Sequence, residues 1–460
     1  MKKKTRTISG VTPVAVLTKP YPCPGECIFC PNEKGMPKSY LASEPGAQRA
    51  VANKFDPYLQ VFNRLKALKN IGHPVDKVEL IILGGSWSAY PKDYQVWFVK
   101  RCFDAMNDFS GSRPTRARPG VSLSRVQRIN EKAESRCVGL AVETRPDLIT
   151  QKEIIRIRKL GATKVQIGIQ SLDDKVLKLN KRGHTTKETT EAIGLLRSAG
   201  FKIHVHWMPN LYGSSVEKDI KDFQKLFNDK KYKPDELKIY PCSLLKSAEL
   251  MSYYKKGLWK PYTKKELLRV LAKVFELTPR YCRITRVIRD IPSPEIVVGN
   301  KKTNFRQIVE EYLRSKNIKS EDIRAREIRD KRVSFKDLKL NIVKYNTSVS
   351  REYFLEYITD KDEIVGFLRL SLSKDTAMIR EVHVYGQSME IGKKREGKAQ
   401  HVGLGKSLIK KALEIAKENS FRKVLVISSV GTREYYRKLG FKDDGLYQSI
   451  HTQGSFDNQF

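Results

Sequence analysis

The chain has 460 residues, enough for two or three domains that each bury a core. Lys and Arg number 88 against 51 Asp and Glu, a formal charge of +37, so the surface attracts polyanions and RNA is the natural partner. No apolar run is long enough for a membrane span, the Lys-rich start lacks the apolar stretch of a secretory signal, and seven cysteines, an odd number, argue against a disulfide framework; together these point to the cytoplasm.

In chain order the first feature is a cysteine triplet, Cys23, Cys27 and Cys30. From there to about residue 300, short apolar runs alternate with amphipathic ones. Strands are predicted over 78–83, 137–142, 164–169, 202–207 and 237–240. Helices are predicted over 150–160, 186–199 and 216–227, with Gly161 and Gly200 as helix stops. Such alternation implies an α/β fold: a parallel sheet with crossover helices, open or closed into a barrel. Residues 110–136 interrupt it with a basic stretch that includes Arg113, Arg116, Arg118, Arg125 and Arg128. It reads either as an excursion without fixed structure or as an arm on RNA phosphates. Residues 301–337 are dense in charge and read as a basic helical linker, a pair of helices. Strands then recur at 338–345, 352–359, 363–372 and 377–386, before a helix at 403–419, a strand at 423–428, a helix at 432–439 and a strand at 446–451. That is an α+β domain, so the expected division is 1–300, 301–337 and 338–460. Cys102, Cys137, Cys242 and Cys282 are scattered and read as buried small hydrophobes.

The triplet carries the first chemistry. A closed zinc site wants four protein ligands, and no fourth Cys or His lies near in sequence. A four-iron, four-sulfur (4Fe-4S) cluster held by three thiolates leaves one iron open, free to chelate the amino and carboxylate groups of S-adenosylmethionine (SAM). With Phe29 inside it, the triplet resembles the radical SAM superfamily, which implies a partial (β/α) barrel for the first 300 residues and Cys23, Cys27 and Cys30 as metal ligands. The resemblance also implies SAM-facing residues at strand ends. These are Gly84, Gly85 and Ser86, where the superfamily has Gly-Gly-Glu and a Ser stands here for the Glu, then Glu143 and Arg145, then Gln170 and Ser171. Ligands of barrels gather at the C-terminal ends of the strands, yet each of these side chains also reads as a strand-end cap. His184, His204 and His206 read as packed, satisfied histidines.

A second constellation, Gln400, His401, Val402, Gly403, Leu404, Gly405 and Lys406, follows a strand and opens a helix. Small residues let the backbone approach a pyrophosphate, and a helix N-terminus offers free N–H groups. In this context it resembles the pyrophosphate loop of the GNAT acetyltransferases, which implies acetyl-CoA. Residues 431–441 resemble the second signature of that family, in which a Tyr points at the thioester sulfur. By position Tyr436 is that Tyr and Tyr435 its neighbour, with a core aromatic on an amphipathic helix as the alternative. A catalytic Tyr there would protonate the leaving thiolate.

Fused in this order, the halves resemble the family of Elongator catalytic subunits and their stand-alone bacterial and archaeal counterparts. Residues 56–60, 143–147, 168–171, 289–292 and 380–386 carry the likeness together with the motifs above. The resemblance implies an acyltransferase that attaches a carboxymethyl-type group to carbon 5 of the wobble uridine of tRNA. It implies a 4Fe-4S cluster, SAM and acetyl-CoA as cofactors, the tRNA anticodon arm as partner, and a second copy or accessory proteins beside it. Eukaryotic members have a longer first gap in the triplet and a basic N-terminal extension; here roughly twenty residues precede Cys23, which implies either weaker tRNA affinity or a partner fragment elsewhere. Two other readings stay open: a protein lysine (histone-type) N-acetyltransferase with the barrel as scaffold, and a non-catalytic RNA-binding module.

Overall fold

The computed structural model describes residues 7, 9–109, 120–329, 331, 333–385 and 403–452. Its first sheet is all parallel. The strand order is β1 (Thr12–Leu17), β2 (Lys77–Leu83), β3 (Arg136–Thr144), β4 (Lys164–Gln170), β5 (Lys202–Trp207), β6 (Glu236–Ile239) and β8 (Arg283–Arg286). A separate ribbon pairs β7 (Leu244–Leu245) with β9 (Ile296–Val298). Helices α1 (Pro45–Ala52), α2 (Pro57–Asn70), α3 (Lys92–Asn107), α4 (Leu123–Asn130), α5 (Gln151–Lys159), α6 (Asp174–Leu179), α7 (Thr186–Ser198), α8 (Val216–Asn228), α9 (Leu250–Lys255) and α10 (Lys264–Leu277) connect and cover the strands. Local sequence sets their starts. Asp56, Ser122, Thr150 and Ser215 each accept from a backbone N–H three residues on. Thr185 with Glu188, and Thr263 with Glu266, form full capping boxes.

Three regions differ from the sequence expectation. β1 and β8, the two edges of the sheet, were not among the predicted strands; β1 carries Pro13, which an edge tolerates and a central strand does not. Part of the basic stretch is helix α4, which carries Arg125 and Arg128, while residues 110–119 lie outside the described residues. The charged stretch 301–337 holds one α-helix, α11 (Phe305–Ser315), rather than a pair. α11 buries Phe305, Val309 and Leu313, and Arg306 donates to Ile284 O at 2.8 Å, so it is packed onto the barrel. In place of a second helix, Asp322 pins irregular chain by accepting from Ile284 N and Arg324 N.

The second sheet runs β10 (Lys339–Asn346), β11 (Arg351–Ile358), β12 (Ile364–Leu372), β13 (Ala377–Val384), β14 (Lys423–Val426), β16 (Tyr447–His451), β15 (Lys442–Asp444). Neighbours are antiparallel except β13 and β14, which are parallel and pair only over Ala377–Ile379 and Val424–Val426. β13 continues to Val384, so the two strands part there and leave an opening between them. Helix α12 (Leu404–Glu418) packs on this sheet, and α13 (Arg433–Arg437) follows β14. Among the described residues no helix is long and apolar enough to cross a membrane.

This second domain sits over the N-terminal ends of the barrel strands. Gly200 ends α7 at φ +82, and a Cβ there would lie 2.0 Å from Met378 Sδ. Gly431 rests against the start of β3, where a Cβ would meet Arg136 Cβ at 2.7 Å. Arg158 donates to Ser428 O at 2.7 Å and Leu446 O at 2.9 Å. At the centre, the fully buried Asp235 accepts from Arg380 at 2.6 and 2.8 Å, with Arg369 and Arg197 beside it. Glu352 takes Arg380 from the other side at 3.3 Å. Against the desolvation that would raise it, these three arginines hold the Asp235 carboxyl below the usual carboxylate range.

Candidate active site

After β1 the chain runs without regular secondary structure to α1, and this segment carries the triplet. Apolar anchors fix it. Ile28 and Phe29 are buried with Leu41, Val176, Leu211 and Leu244 in a small core of their own. Ile28 N donates to Asn180 O at 3.3 Å, and Ile28 O accepts from Leu250 N at 2.8 Å. Cys27 is buried, while Cys23 and Cys30 are half-buried. Cys23 Sγ lies 3.6 Å from Ser86 Oγ, and Arg182 Nη1 donates to Cys27 Sγ at 3.3 Å. A hydrogen bond from the Cys30 thiol, together with the Arg182 and Arg145 charges, outweighs desolvation and holds the Cys27 thiol below its ordinary range. Cys30, the donor of that bond, is held up. Thiolate character at this middle cysteine is what an iron ligand needs. Among the described residues no three His, Cys, Asp or Glu side chains converge on one point as a single ion would require. Three thiols along a loop suit a cluster that takes each on a different iron.

The turn after β2 lies against this loop. Gly84 has φ +120, and a Cβ on it would meet Thr18 Oγ1 at 2.1 Å, so the two chain segments approach only because residue 84 has no side chain. Arg145 places Nε on Asp147 at 3.0 Å and Nη2 on Arg182 O at 2.8 Å. Its Nη1 is buried without a partner and aimed at Gly25, where a Cβ would sit 2.1 Å from it. Gln170 ends β4 at φ +65, a left-handed conformation that costs a non-glycine residue about 1–3 kcal/mol, and its Oε1 is also buried without a partner. An unpaired donor and an unpaired acceptor fit a zwitterionic amino-acid group such as the methionine end of SAM. Glu143 faces the same space, 3.5 Å from the Tyr40 hydroxyl and 3.6 Å from His206 Nδ1.

Ser171 does not join this set. Its hydroxyl donates to Asp222 at 3.3 Å and accepts from Asp173 N at 3.1 Å, so it builds the turn into α6, as a strand-end cap would. His204 and His206 are buried and hydrogen-bonded, as packed histidines would be, and they also line a cavity. His206 Nε2 lies 3.0 Å from Gln166 Oε1, and His204 Nε2 lies 2.9 Å from Thr285 Oγ1. Burial pushes both imidazoles well down, so they are neutral.

On the other domain, Gly403 caps α12, with Leu404 buried and Gly405 and Lys406 in the first turn. Gln400, His401 and Val402 lie outside the described residues. The Tyr435 hydroxyl lies against Gly405, 2.8 Å from where a Cβ would be. Tyr436 points the other way, buried against Phe441 and lining the cavity. Desolvation pushes the Tyr435 phenol up to about 12 and the Tyr436 phenol higher, so both are protonated at neutral pH.

The cavity itself, about 980 Å³, is the barrel lumen. Its upper wall includes Cys30, Glu143 and Gln170, and its floor is Arg369, Glu381, His383 and Tyr436 of the second domain. Between them, inward side chains of β4, β5 and β6 supply Lys164 and Gln166, Lys202, His204 and His206, and Glu236 and Lys238, with Tyr240 just beyond β6. Sequence reasoning missed most of these. The signal was present as polar residues at every second position of strands otherwise read as buried apolar runs.

Comparisons with known proteins agree with both halves. Residues 21–226 match the radical SAM superfamily, 234–315 the radical SAM C-terminal domain, and 315–441 the acetyltransferase (GNAT) family. The chain is therefore a radical SAM protein with a fused GNAT domain. It is 42% identical to the tRNA uridine(34) acetyltransferase of Methanocaldococcus infernus, over 97% of this chain and 86% of that protein. It is 40% identical to the protein of the same name from Dehalococcoides mccartyi, over 98% of this chain and 100% of that one, and 33% identical to Homo sapiens Elongator complex protein 3, over 97% and 85%. The solved structure of the archaeal Methanocaldococcus infernus Elp3, with an N-terminal deletion, superposes at a TM-score of 0.82 and 38% identity, covering 97% of this chain and 100% of that one. The chain belongs to the family of the tRNA uridine(34) acetyltransferases and Elongator complex protein 3. Radical SAM membership implies SAM and a 4Fe-4S cluster, and GNAT membership implies acetyl-CoA.

Proposed function

We propose that this protein modifies the wobble uridine of tRNA, attaching a carboxymethyl-type group to carbon 5 with acetyl-CoA as its source. The observation that carries this reading is the single cavity that reaches both Cys30 and Tyr436. The names of the relatives supply the substrate, and a charge of +37 suits a phosphate-rich partner. Residues 1–300 serve the radical chemistry and 338–460 the acetyl-CoA, with 301–337 between them.

Cys23, Cys27 and Cys30 would hold the cluster, with Gly84, Gly85, Ser86, Glu143, Arg145 and Gln170 around SAM; bound there, the pair supplies a carbon-centred radical. The chain's own groups do the rest. The start of α12, residues 403–406, offers free backbone N–H groups to the acetyl-CoA pyrophosphate. The Tyr436 phenol, kept protonated by burial, can give its proton to the departing CoA thiolate, and Tyr435 shapes the groove beside Gly405. A wobble base belongs to a single-stranded loop and is cheap to splay into the lumen.

The test is an anaerobic reaction of cluster-reconstituted protein with SAM, acetyl-CoA, a reductant and a tRNA bearing a wobble uridine. Digested nucleosides are read by mass spectrometry beside a Cys27→Ala control. A carboxymethyl-type uridine that vanishes in the control supports the reading. Unchanged uridine despite SAM cleavage, or lysine acetylation of a protein substrate that survives Cys27→Ala, would overturn it.

A further inference from the structure

The mid-lumen of the barrel holds a small polar set that neither the cluster loop nor the acetyl-CoA groove uses. Lys238, from the centre of β6, reaches across to β4 and hydrogen-bonds Gln166 Oε1. The same oxygen lies 3.0 Å from His206 Nε2 on β5. Both lone-pair directions of that carbonyl are taken, so the Gln166 amide turns its NH₂ end toward the cavity. No hydrogen-bond partner occupies that NH₂ among the described residues. An ammonium has donors only, and a Gln whose oxygen is engaged also has only donors left. The ring of Tyr240 stands beside His206 with centroids 5.8 Å apart, giving the space an aromatic wall.

The space opens sideways. The sheet does not close, and its free edges are β1 and β8. The cavity reaches residues flanking both edges: Arg49 and Arg64 on one side, Arg286, Lys301, Lys302 and Arg324 on the other. Arg324 donates to Thr285 O, and its guanidinium is crowded by Arg306 and Arg283, so the rim favours an anion. A nucleotide entering there would rest its phosphates on the rim and carry its base to mid-lumen.

We propose that Lys238 and Gln166 form a base-reading site that selects uracil over cytosine. This rests on the tRNA wobble-uridine reading above. Uracil presents a carbonyl oxygen at position 4, with two lone pairs for two donors. Cytosine presents an amino group there, a donor set against donors, and the one nearby amide acceptor is already engaged. Position 4 is bonded directly to carbon 5, so gripping that oxygen also fixes the atom to be modified. Lys238 is a specificity residue in this scheme and takes no part in bond making. The groups facing it are Glu143 on β3, Lys164 and Gln166 on β4, His204 and His206 on β5, Glu236 on its own strand and Arg286 on β8. Desolvation, opposed mainly by Glu143, brings its pKa down to about 8. Above that pH the amine gains a lone pair and can accept from cytosine.

The experiment uses the full chain with its cluster reconstituted and two tRNA transcripts that differ only by uridine or cytidine at the wobble position. Competition binding gives the uridine-to-cytidine preference, and SAM cleavage without tRNA is read in parallel. Wild type should prefer uridine by roughly tenfold or more, and the preference should shrink as pH rises past 8. Lys238→Gln should bring the ratio close to one and leave SAM cleavage unchanged, while Lys238→Arg should keep most of the preference. If Lys238→Gln fails to hold its cluster, Lys238→Met and the wild-type pH series answer the same question. A preserved ratio in the variant, or a flat pH series, would overturn the proposal. So would loss of SAM cleavage in Lys238→Gln, which would assign the ammonium to SAM. Wild type that makes no modified uridine at all would instead sink the wobble-uridine reading on which this one rests.

Discussion

Two buried polar sets, one where the second domain meets the barrel and one beside the cysteine loop, differ in how completely they are paired. At the floor, both oxygens of Asp235 are held by Arg380, and Glu352 and Glu381 take further arginine and lysine contacts. Nearer the cysteine loop, Arg145 Nη1 and Gln170 Oε1 have no partner, and the Gln166 amide faces open space. Carboxylates matched within the protein hold two domains together. Donors and acceptors left over await something that is not protein. Burial alone does not distinguish the two sets; an opposing charge does, since Arg197 Nη1 and Arg369 Nη1 also lack a hydrogen bond but lie 3.8 and 3.5 Å from Asp235.

The largest expected effect falls on the paired set. Asp235→Asn leaves three buried arginines one carboxylate short, with only Glu352 and Glu381 beside them, and should cost about 3–5 kcal/mol in chemical denaturation. The sign of the pH effect follows from a depressed folded-state pKa. The stability that Asp235 contributes is present above the unfolded carboxyl value of about 4 and is lost as pH falls through the lower folded value. Acid unfolding of wild type should show this loss, and Asp235→Asn should flatten the dependence below pH 4. If the variant unfolds at the same denaturant concentration as wild type, the floor is not what joins the halves.

Next in size is Tyr436→Phe. The ring packing on Phe441 is kept and only the hydroxyl goes, so unfolding should move little. Turnover with acetyl-CoA should fall roughly a hundredfold, the low end for loss of a general acid, with tRNA affinity unchanged. The smallest effect separates strain from function at the unpaired end. Gln170→Gly relieves a left-handed backbone and should stabilise the fold by up to about 1 kcal/mol while weakening SAM binding, read by equilibrium dialysis. A variant that is both more stable and equally good at binding SAM would mean that the strain at Gln170 serves nothing.

What the sequence disclosed follows the same division. The cysteine triplet, the turn at Gly84, the first turn of α12 and the Tyr435–Tyr436 pair are encoded within a few consecutive residues, so local pattern reveals them. Asp235 draws its partners from positions 197, 369 and 380, which no local window holds. β1 escaped because its apolar run is short and contains Pro13. Lys238 and Gln166 escaped for a third reason: a parallel strand covered on its outer face was taken to be apolar on its inner face too. A lumen lined with polar side chains reverses that expectation. Ser171 erred the other way, since a hydroxyl at a strand end serves a turn as readily as a ligand.

Gly200 shows how tightly the floor is fitted. A single added methyl group would run into Met378 from the other domain, so the second domain serves as the stopper of a vessel whose wall is the barrel. Cutting the chain between residues 300 and 338 would not yield two half-enzymes. It would yield a half-barrel that has lost the floor of its cavity and a second domain with its charged underside exposed.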